Sequence, residues 1–371
     1  MQSIEKPIID ATVSPLVTTS VTNIPTSSKE NSRVKHGTEQ IVNLPLKSEF
    51  VTPLGRCLGN DFDENMQITS NQFVVTADSR AVIQCGYYDR SFRIYGSRSN
   101  RLIQAVFGHS DIVTCLARSE CHFSQYYYLA SGSRDCTVML WMFSMQRLCV
   151  VTSQGTPKPV VILNGHEASI KCISLSAELG LVLSGSVNGT CLLHSTRGEL
   201  LRSLCSPYTT ATLDQVSTPL PSSSSTPPVE LANSKQPEPN LFTYHREGYL
   251  LGQFDHSWLS LYSLNGKLLH SSDLSILSNN TNSSIAYHIN AMLFSDCGRY
   301  ILVAGNDGVI WILRSYNLLP VHAFPKCDTS VESLSLSHDQ RFIFAGLKSG
   351  CVAVFFVDFN QWHHEFQQRY S

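Results

Sequence analysis

Short apolar stretches alternate with polar turns along most of the chain between residues 73 and 356. Stretches of four to six residues that are apolar throughout, or at every second position, predict β-strands. Six of them open a repeated unit, at residues 73–76, 112–117, 170–175, 241–244, 289–294 and 331–336. No segment keeps a helical apolar period over three turns, so the pattern predicts an all-β chain.

A glycine marks the same place in every unit, where a second apolar stretch meets a polar turn and a third stretch follows. The six glycines are Gly86, Gly132, Gly185, Gly252, Gly305 and Gly346. We expect them to permit a close approach or a positive φ that a tight turn needs. In four units an acidic or amide residue stands three positions later, at Asp89, Asp135, Asn188 and Asp255. These side chains can bond their own backbone and stabilise the turn.

The spacing of the glycines indicates the architecture. Once one Ser- and Pro-rich insert is set aside, they recur about every 45 residues, which is the period of a four-stranded propeller blade. Fourth strands are predicted at residues 102–107, 160–163, 199–204 and 267–270. The sequence therefore predicts an all-β propeller with six recognisable blades, spanning residues 61–371.

Two segments lack this pattern. Residues 1–60 and the insert at residues 206–240 are rich in Ser, Thr and Pro, which favours a disordered or extended chain over a packed one. Thr-Pro and Ser-Pro pairs are either proline-directed phosphorylation sites or a composition bias, at Ser14, Thr52, Thr156, Thr218 and Thr226.

The composition limits the classes of partner that this chain can bind. The 371 residues carry a net charge of −2 without a basic cluster, which argues against a nucleic-acid-binding module. No run approaches the roughly 18 apolar residues of a membrane span, and residues 1–13 lack the apolar core of a secretory signal. We therefore expect a cytosolic chain without a transmembrane segment, whose partners are proteins that bind the propeller faces.

The twelve cysteines include no C-x-x-C pair. Five of them fall within strand patterns, which predicts reduced core thiols, at Cys85, Cys115, Cys172, Cys191 and Cys351. A disulfide framework would require an oxidising compartment. His363 and His364 have no second pair of ligands at metal-binding spacing, so we predict neither a metal site nor a cofactor.

The second unit resembles a WD repeat through Gly108, His109, Ser131, Asp135 and Trp141. The third unit keeps Gly165 and His166, but has Asn188 and His194 where Asp and Trp are expected. The resemblance implies that His109, Ser131, Asp135, Trp141 and His166 form a structural network tying the strands of a blade. A catalytic Ser–His–Asp reading is the alternative, and the chain has no G-x-S-x-G motif to support it.

Longer segments resemble the C-terminal WD-repeat region of the neurobeachin and LPS-responsive beige-like anchor proteins, which are BEACH-domain proteins. They are residues 108–120, 131–141, 176–186 and 358–370. In that family a PH-like domain and a BEACH domain precede the propeller, and the family pattern implies seven blades. Because neither domain nor a first blade is recognisable here, we expect a fragment, an isoform or an incomplete gene model.

This resemblance implies a non-enzymatic interaction scaffold in vesicle trafficking and protein localisation, peripherally associated with membranes. It also implies association of the family with protein kinase A, through a region upstream of the propeller. The alternatives are a phosphopeptide- or ubiquitin-binding adaptor and, more distantly, a propeller hydrolase. Aromatic and arginine side chains favour binding at turns, so the candidate surface residues are Tyr87, Tyr88, Arg90 and Arg134.

Overall fold

A computed structural model of the chain describes residues 61–63, 69–119, 125–153, 155–204, 237–245, 247–277 and 287–359. The strands of this part form six antiparallel sheets, one for each predicted unit, and a short hairpin. The sheets are the blades of a propeller, which confirms the all-β, six-bladed prediction. The further blade that the family resemblance implies is absent from the described residues, and residues 1–60 lie outside them.

The strands are numbered in chain order. Blade 1 contains β1 (Phe73–Val75), β2 (Ala81–Gln84), β3 (Phe92–Gly96) and β4 (Leu102–Val106). Blade 2 contains β5 (Val113–Arg118), β6 (Tyr126–Ser133), β7 (Val138–Ser144), β8 (Cys149–Val150) and β11 (Val161–Leu163). The separate hairpin consists of β9 (Thr152–Ser153) and β10 (Thr156–Pro157). Blade 3 contains β12 (Ile170–Ser176), β13 (Leu181–Ser186), β14 (Cys191–Ser195) and β15 (Leu200–Leu204).

The remaining blades follow the same meander. Blade 4 contains β16 (Pro239–His245), β17 (Tyr249–Phe254), β18 (Trp258–Ser263) and β19 (Leu268–Asp273). Blade 5 contains β20 (Ile289–Phe294), β21 (Tyr300–Gly305), β22 (Ile310–Arg314) and β23 (Pro320–Ala323). Blade 6 contains β24 (Val331–Leu336), β25 (Phe342–Leu347) and β26 (Val352–Phe356). Every predicted first and fourth strand overlaps an observed one.

Neighbouring blades pack face to face. Five apolar clusters fill the five interfaces from blades 1 and 2 to blades 5 and 6. The second strands β13 and β21 are buried at every position, because each of their faces lies against another blade. In β25, by contrast, Phe342 and Phe344 each remain 40% exposed. Within the described residues, blade 6 therefore buries only the face that contacts blade 5.

Close packing explains most of the repeated glycines. Of the six repeated glycines, only Gly86 has a positive φ, at +102°. A turn that needs this conformation therefore accounts for one unit of the six. The other five lie inside second strands. A Cβ on Gly132 would lie 2.6 Å from Cγ2 of Ile170 in the next blade, and one on Gly185 would lie 2.5 Å from Cγ of Pro239. Gly132 and Gly185 thus let the first strand of the next blade pack directly on the second strand. A Cβ on Gly252, Gly305 or Gly346 would instead meet atoms of the same blade, in Phe242, His288 and Ser333 respectively.

The polar residues after the glycines stabilise turns in three of the four predicted units. Asp89, Asp135 and Asn188 each accept a hydrogen bond from the backbone N–H two residues later, at 3.0, 3.0 and 3.1 Å. Asp255 differs, because its carboxylate accepts from the backbone N–H of Glu238 at 2.8 Å. That contact ties the turn of blade 4 to the segment that enters the blade.

All cysteines in the described part of the chain are free. Four of the five predicted core thiols are buried, at Cys85, Cys115, Cys172 and Cys191, and Cys351 is half-buried. Burial raises the pKa of Cys115 to about 12, so this thiol stays protonated at neutral pH. These thiols act as small apolar side chains of the core.

Candidate interaction surface

A chain of hydrogen bonds joins four side chains in blade 2. The Nδ1 atom of His109 lies 2.9 Å from Oδ2 of Asp135, and its Nε2 atom lies 2.8 Å from Oγ of Ser131. The indole N–H of Trp141 donates to the same Oγ at 2.8 Å. The geometry connects the loop before β5 with β6, the β6–β7 turn and β7.

The two ends of this hydrogen-bond network have defined directions. The indole N–H of Trp141 donates to Oγ of Ser131, which also bonds Nε2 of His109. The carboxylate of Asp135 bonds Nδ1 of His109 and accepts from the backbone N–H groups of Ser110 and Thr137. Burial raises the pKa of Asp135, but the hydrogen bonds from His109 and Thr137 outweigh it and keep that pKa well below its usual range.

The order Ser–His–Asp is that of a catalytic triad, but the surroundings do not suit nucleophilic attack. Ser131 and Trp141 are completely buried, and the side chain of His109 is 1% exposed. The indole of Trp141 occupies an acceptor position of the Ser131 oxygen, so a substrate carbonyl has no path to it. The arrangement satisfies buried polar groups and links strands within the blade.

Blade 3 has a shorter version of the network. His166 bonds Oγ of Ser184 through Nε2 at 2.8 Å. Its Nδ1 is buried without a hydrogen-bond partner in the described residues, because Asn188 turns to its own backbone. His194 occupies the tryptophan position and bonds the carbonyl of Asn164 at 3.0 Å. Burial, and then the neighbouring His194, lower the pKa of His166 to about 4.

The predicted surface residues divide into one core residue and three exposed ones. Tyr87 is completely buried, with its ring under the guanidinium of Arg93 at 4.0 Å, so a partner cannot reach it and its place in the predicted surface is wrong. Tyr88 is 49% exposed, and Arg90 and Arg134 are exposed as well. These three lie in the turns between the second and third strands of blades 1 and 2.

A carboxylate that the sequence pattern does not mark joins these two turns. Asp63 accepts a hydrogen bond from the hydroxyl of Tyr88 at 3.0 Å and pairs with Arg134 at 2.6 Å. Its backbone N–H donates to the carbonyl of Gly86, and only 2% of the residue is exposed. Asp63 comes before the first apolar stretch, where no periodicity signals its position.

A polar cavity of about 380 Å³ lies at the centre of the ring, at the same end of the blades as these turns. It is lined by the segment before blade 1 and by blades 2 to 6, including Asn71, Thr114, Lys171, Asn240, Asn290 and Glu332. Side chains bridge the blades around it, at Asn71 to the carbonyl of Asn240 (2.9 Å), Thr114 to the carbonyl of Ile170 (2.6 Å), Lys171 to Glu238 (2.9 Å) and Asn290 to the carbonyl of Val331 (3.0 Å). The polar rim thus links inner strands and borders the exposed turns.

Two histidines form one side of the cavity. The rings of His256 and His288 are 3.7 Å apart between centroids. Burial, followed by the nearby His288 and Lys171, lowers the pKa of His256, which keeps its ring uncharged at neutral pH. The two cationic side chains of the lining, Arg134 and Lys171, each already contact a carboxylate. The cavity is therefore polar without a strong excess of positive charge.

The described residues contain no group of three or more side chains able to hold a metal ion. His363 and His364 lie outside that part of the chain. In the same part, no helix has the length and apolar character needed to cross a membrane.

Comparison with known proteins identifies the family. A sequence model described as the neurobeachin beta propeller domain matches residues 17–218, more than half of the chain. A putative neurobeachin homolog of Caenorhabditis briggsae is 34% identical over 324 residues, which cover 86% of this chain and 11% of that protein. BEACH domain-containing protein B of Arabidopsis thaliana is 29% identical over 327 residues, covering 84% of this chain and 11% of that protein. The chain thus spans about a tenth of the length of these relatives.

Solved structures agree on the architecture. The WD40 beta propeller domain of Doa1 aligns with a TM-score of 0.51 at 14% identity, over 78% of this chain and 79% of that one. At such identity the likeness shows the fold alone. With six WD-type blades and a sequence match over more than half of its length, the chain belongs to the neurobeachin β-propeller family.

Proposed function

We propose that this propeller is a non-enzymatic scaffold that binds a protein partner at the face bordered by Tyr88, Arg90 and the central cavity. Membership of the neurobeachin family supports a scaffold within a BEACH-type protein. In a longer chain, BEACH and PH-like domains are its covalent neighbours. The scaffold acts in vesicle trafficking and protein localisation, in the cytosol and at the periphery of membranes, and the family resemblance supports this part. Protein kinase A anchoring belongs to a region upstream of the propeller in that family.

The observation that carries the proposal is the exposure of Tyr88 and Arg90 in a turn of a packed blade. Tyr88 is 49% exposed although its hydroxyl is fixed by Asp63. Arg90 is exposed in the same turn. Arg134, which shares Asp63 with Tyr88, lines the cavity. A fixed aromatic ring beside an arginine has the composition of an interface hot spot and loses little conformational entropy on binding.

Quantitative affinity capture from cells tests this face. The full chain, the double variant Tyr88→Ala/Arg90→Ala and the control Arg197→Ala are compared. Arg197 is exposed in the β14–β15 turn, at the opposite end of the blades. Partners captured by the wild-type chain should be lost by the double variant and kept by the control, with equal thermal unfolding of all three. Retention by the double variant contradicts the proposed face.

A fluorescent fusion of the full chain tests the cellular part of the proposal. Recruitment to vesicle membranes is expected, and a signal confined to the cytosol at every expression level contradicts it. The same cells allow the double variant Tyr88→Ala/Arg90→Ala to be compared with the wild-type chain. If the exposed face recruits the chain, the double variant should lose the membrane signal.

The alternatives find less support. A phosphopeptide-binding adaptor needs arginines available for a phosphate, whereas Arg134 contacts Asp63 and Arg93 contacts Asp89. A ubiquitin-binding adaptor has no specific contact in its favour. A hydrolase would need access to Ser131, which is completely buried.

A further inference from the structure

Three side-chain amides that line the central cavity use their N–H groups on backbone carbonyls. The amide of Asn71 donates to a carbonyl of β16 at 2.9 Å, and that of Asn290 donates to a carbonyl of β24 at 3.0 Å. The amide of Gln253 donates to the carbonyl of His256 at 2.8 Å. All three side chains line the cavity, and their amide oxygens can still accept hydrogen bonds there.

The oxygen of Gln253 is the most constrained of these acceptors. Gln253 is 1% exposed, and its Oε1 atom is buried without a hydrogen-bond partner among the described residues. The carbonyl that holds the other end of this amide, in His256, also accepts from the backbone N–H of Ile289 in blade 5 at 2.8 Å. A buried acceptor without a donor is destabilising, so a ligand that brings an N–H group to Gln253 from the cavity removes that penalty.

The charges around the cavity leave one carboxylate without a cation. Arg134 and Lys171 each already pair with a carboxylate, at 2.6 and 2.9 Å. Burial lowers the pKa of His256, so its ring adds no positive charge at neutral pH. Glu332 is exposed in the first strand of blade 6, accepts from the hydroxyl of Ser330 at 2.7 Å and has no ion pair in the part of the chain that the structure describes.

We propose that the central cavity binds an arginine side chain of the partner protein, whose guanidinium donates to Gln253, to the other amide oxygens and to Glu332. This inference rests on the proposed function, because the arginine belongs to the partner that binds the same face. A guanidinium presents five N–H donors in a planar fork and no acceptor, which suits several acceptor oxygens spread around one cavity. A lysine ammonium has three donors at one point and reaches fewer of them. The cavity volume of about 380 Å³ lies within the usual range of ligand pockets.

A matched peptide set tests the proposal on the full chain. Short fluorescent peptides of glycine and serine carry arginine, citrulline, lysine or glutamate at one central position. Citrulline keeps the shape of arginine but has a neutral urea in place of the cation. In fluorescence anisotropy, the arginine peptide should bind about ten-fold more tightly than the citrulline peptide, and more tightly than the lysine peptide. Equal binding of arginine and citrulline or of arginine and lysine, a preference for glutamate, or no binding of the arginine peptide overturns the proposal.

Variants locate the binding. Glu332→Gln removes the charge of an exposed residue, and it should weaken the arginine peptide about ten-fold and leave the citrulline peptide unchanged. Glu199→Gln is the matched control, because Glu199 is exposed in the β14–β15 turn at the opposite end of the blades. Gln253→Met removes the buried amide oxygen at similar length and should also weaken the arginine peptide. If Glu332→Gln binds the arginine peptide as tightly as Glu199→Gln does, the proposal is wrong, whatever the stability of Gln253→Met.

Failure of this proposal is distinguishable from failure of the proposed function. If Tyr88→Ala/Arg90→Ala loses its cellular partners while Glu332→Gln binds the arginine peptide normally, the proposed face stands and the arginine site fails. If the double variant keeps its partners while Glu332→Gln loses the arginine peptide, the arginine site stands and the proposed face fails.

Discussion

Replacing Asp135 with alanine tests whether the polar residues of blade 2 stabilise the fold. The carboxylate accepts hydrogen bonds from Nδ1 of His109 at 2.9 Å and from the hydroxyl of Thr137 at 2.7 Å. It also accepts from the backbone N–H groups of Ser110 and Thr137, at 2.9 and 3.0 Å. The alanine variant removes these four contacts and a longer one from the hydroxyl of Ser110 at 3.4 Å. It leaves Nδ1 of the buried imidazole with only the hydroxyl of Thr137, at 3.3 Å.

The magnitude follows from burial. The side chains of His109 and Asp135 are 1% and 7% exposed, so solvent cannot replace the lost acceptor easily. An unsatisfied buried donor costs about 1–3 kcal/mol, and each lost turn hydrogen bond about 1 kcal/mol. Adding the buried donor to the three turn hydrogen bonds, we expect the free energy of unfolding to fall by about 4–6 kcal/mol, which overlaps the range for breaking a buried pair.

The matched control is Asp89→Ala at the same position of blade 1. The side chain of Asp89 accepts from Ser91 and pairs with Arg93, but it is 36% exposed, so water replaces much of what is lost and the cost should be about 1–2 kcal/mol. Urea unfolding followed by tryptophan fluorescence measures both variants. Equal destabilisation by the two substitutions would refute the buried network as a source of stability.

The wild-type protein should also lose the contribution of Asp135 only at acidic pH. Because the pKa of Asp135 is lowered on folding, this contribution is present above the unfolded pKa of 3.8 and disappears as pH falls below it.

Three further predictions concern single residues. Gly132→Ala should destabilise the propeller by about 1–3 kcal/mol in urea unfolding, because the added Cβ would lie 2.6 Å from Ile170, and a loss below about 0.5 kcal/mol would contradict the packing argument. The lowered pKa of His166, about 4 against 6.5 unfolded, means that the unfolded state binds the proton first. The contribution of His166 to stability is constant above about pH 6.5 and falls by about 3 kcal/mol toward pH 4. His166→Gln should therefore flatten the slope in a pH series of unfolding curves, and the part that remains reflects His194 and His256, whose pKa values are also lowered. Asp63→Ala should cost about 2–3 kcal/mol in thermal unfolding, because it leaves Arg134 and the Tyr88 hydroxyl without their shared acceptor, and an unchanged midpoint would show that the two turns do not depend on it.

The ring of blades follows from local pattern, which is why the sequence predicts it well. Strand periodicity and the glycine spacing place the first strands correctly because each is determined by residues near it in the chain. The packing that requires a glycine at these positions could not be predicted in the same way. A close approach between Gly132 and Ile170, 38 positions apart, depends on how two blades stack, and no local pattern contains it.

The candidate surface shows the same limit. Tyr87 and Tyr88 are adjacent and equally aromatic, but one is completely buried and the other 49% exposed. Alternation along the turn and the contact with Arg93 decide this difference, and composition alone does not indicate it. Asp63 joins two turns from a segment without periodicity, and the central cavity combines residues of five blades. Such sites depend on tertiary packing.

The dissociation constant of a partner captured by the wild-type chain tests the central claim, that the exposed turns bind while the buried polar residues only stabilise. It is measured by titration calorimetry at a temperature where every variant is folded. Tyr88→Ala/Arg90→Ala should weaken binding at least about ten-fold, whereas Asp135→Ala should bind with unchanged affinity despite its lower stability. Unchanged binding by the double variant, or equal loss by Asp135→Ala, would contradict the account.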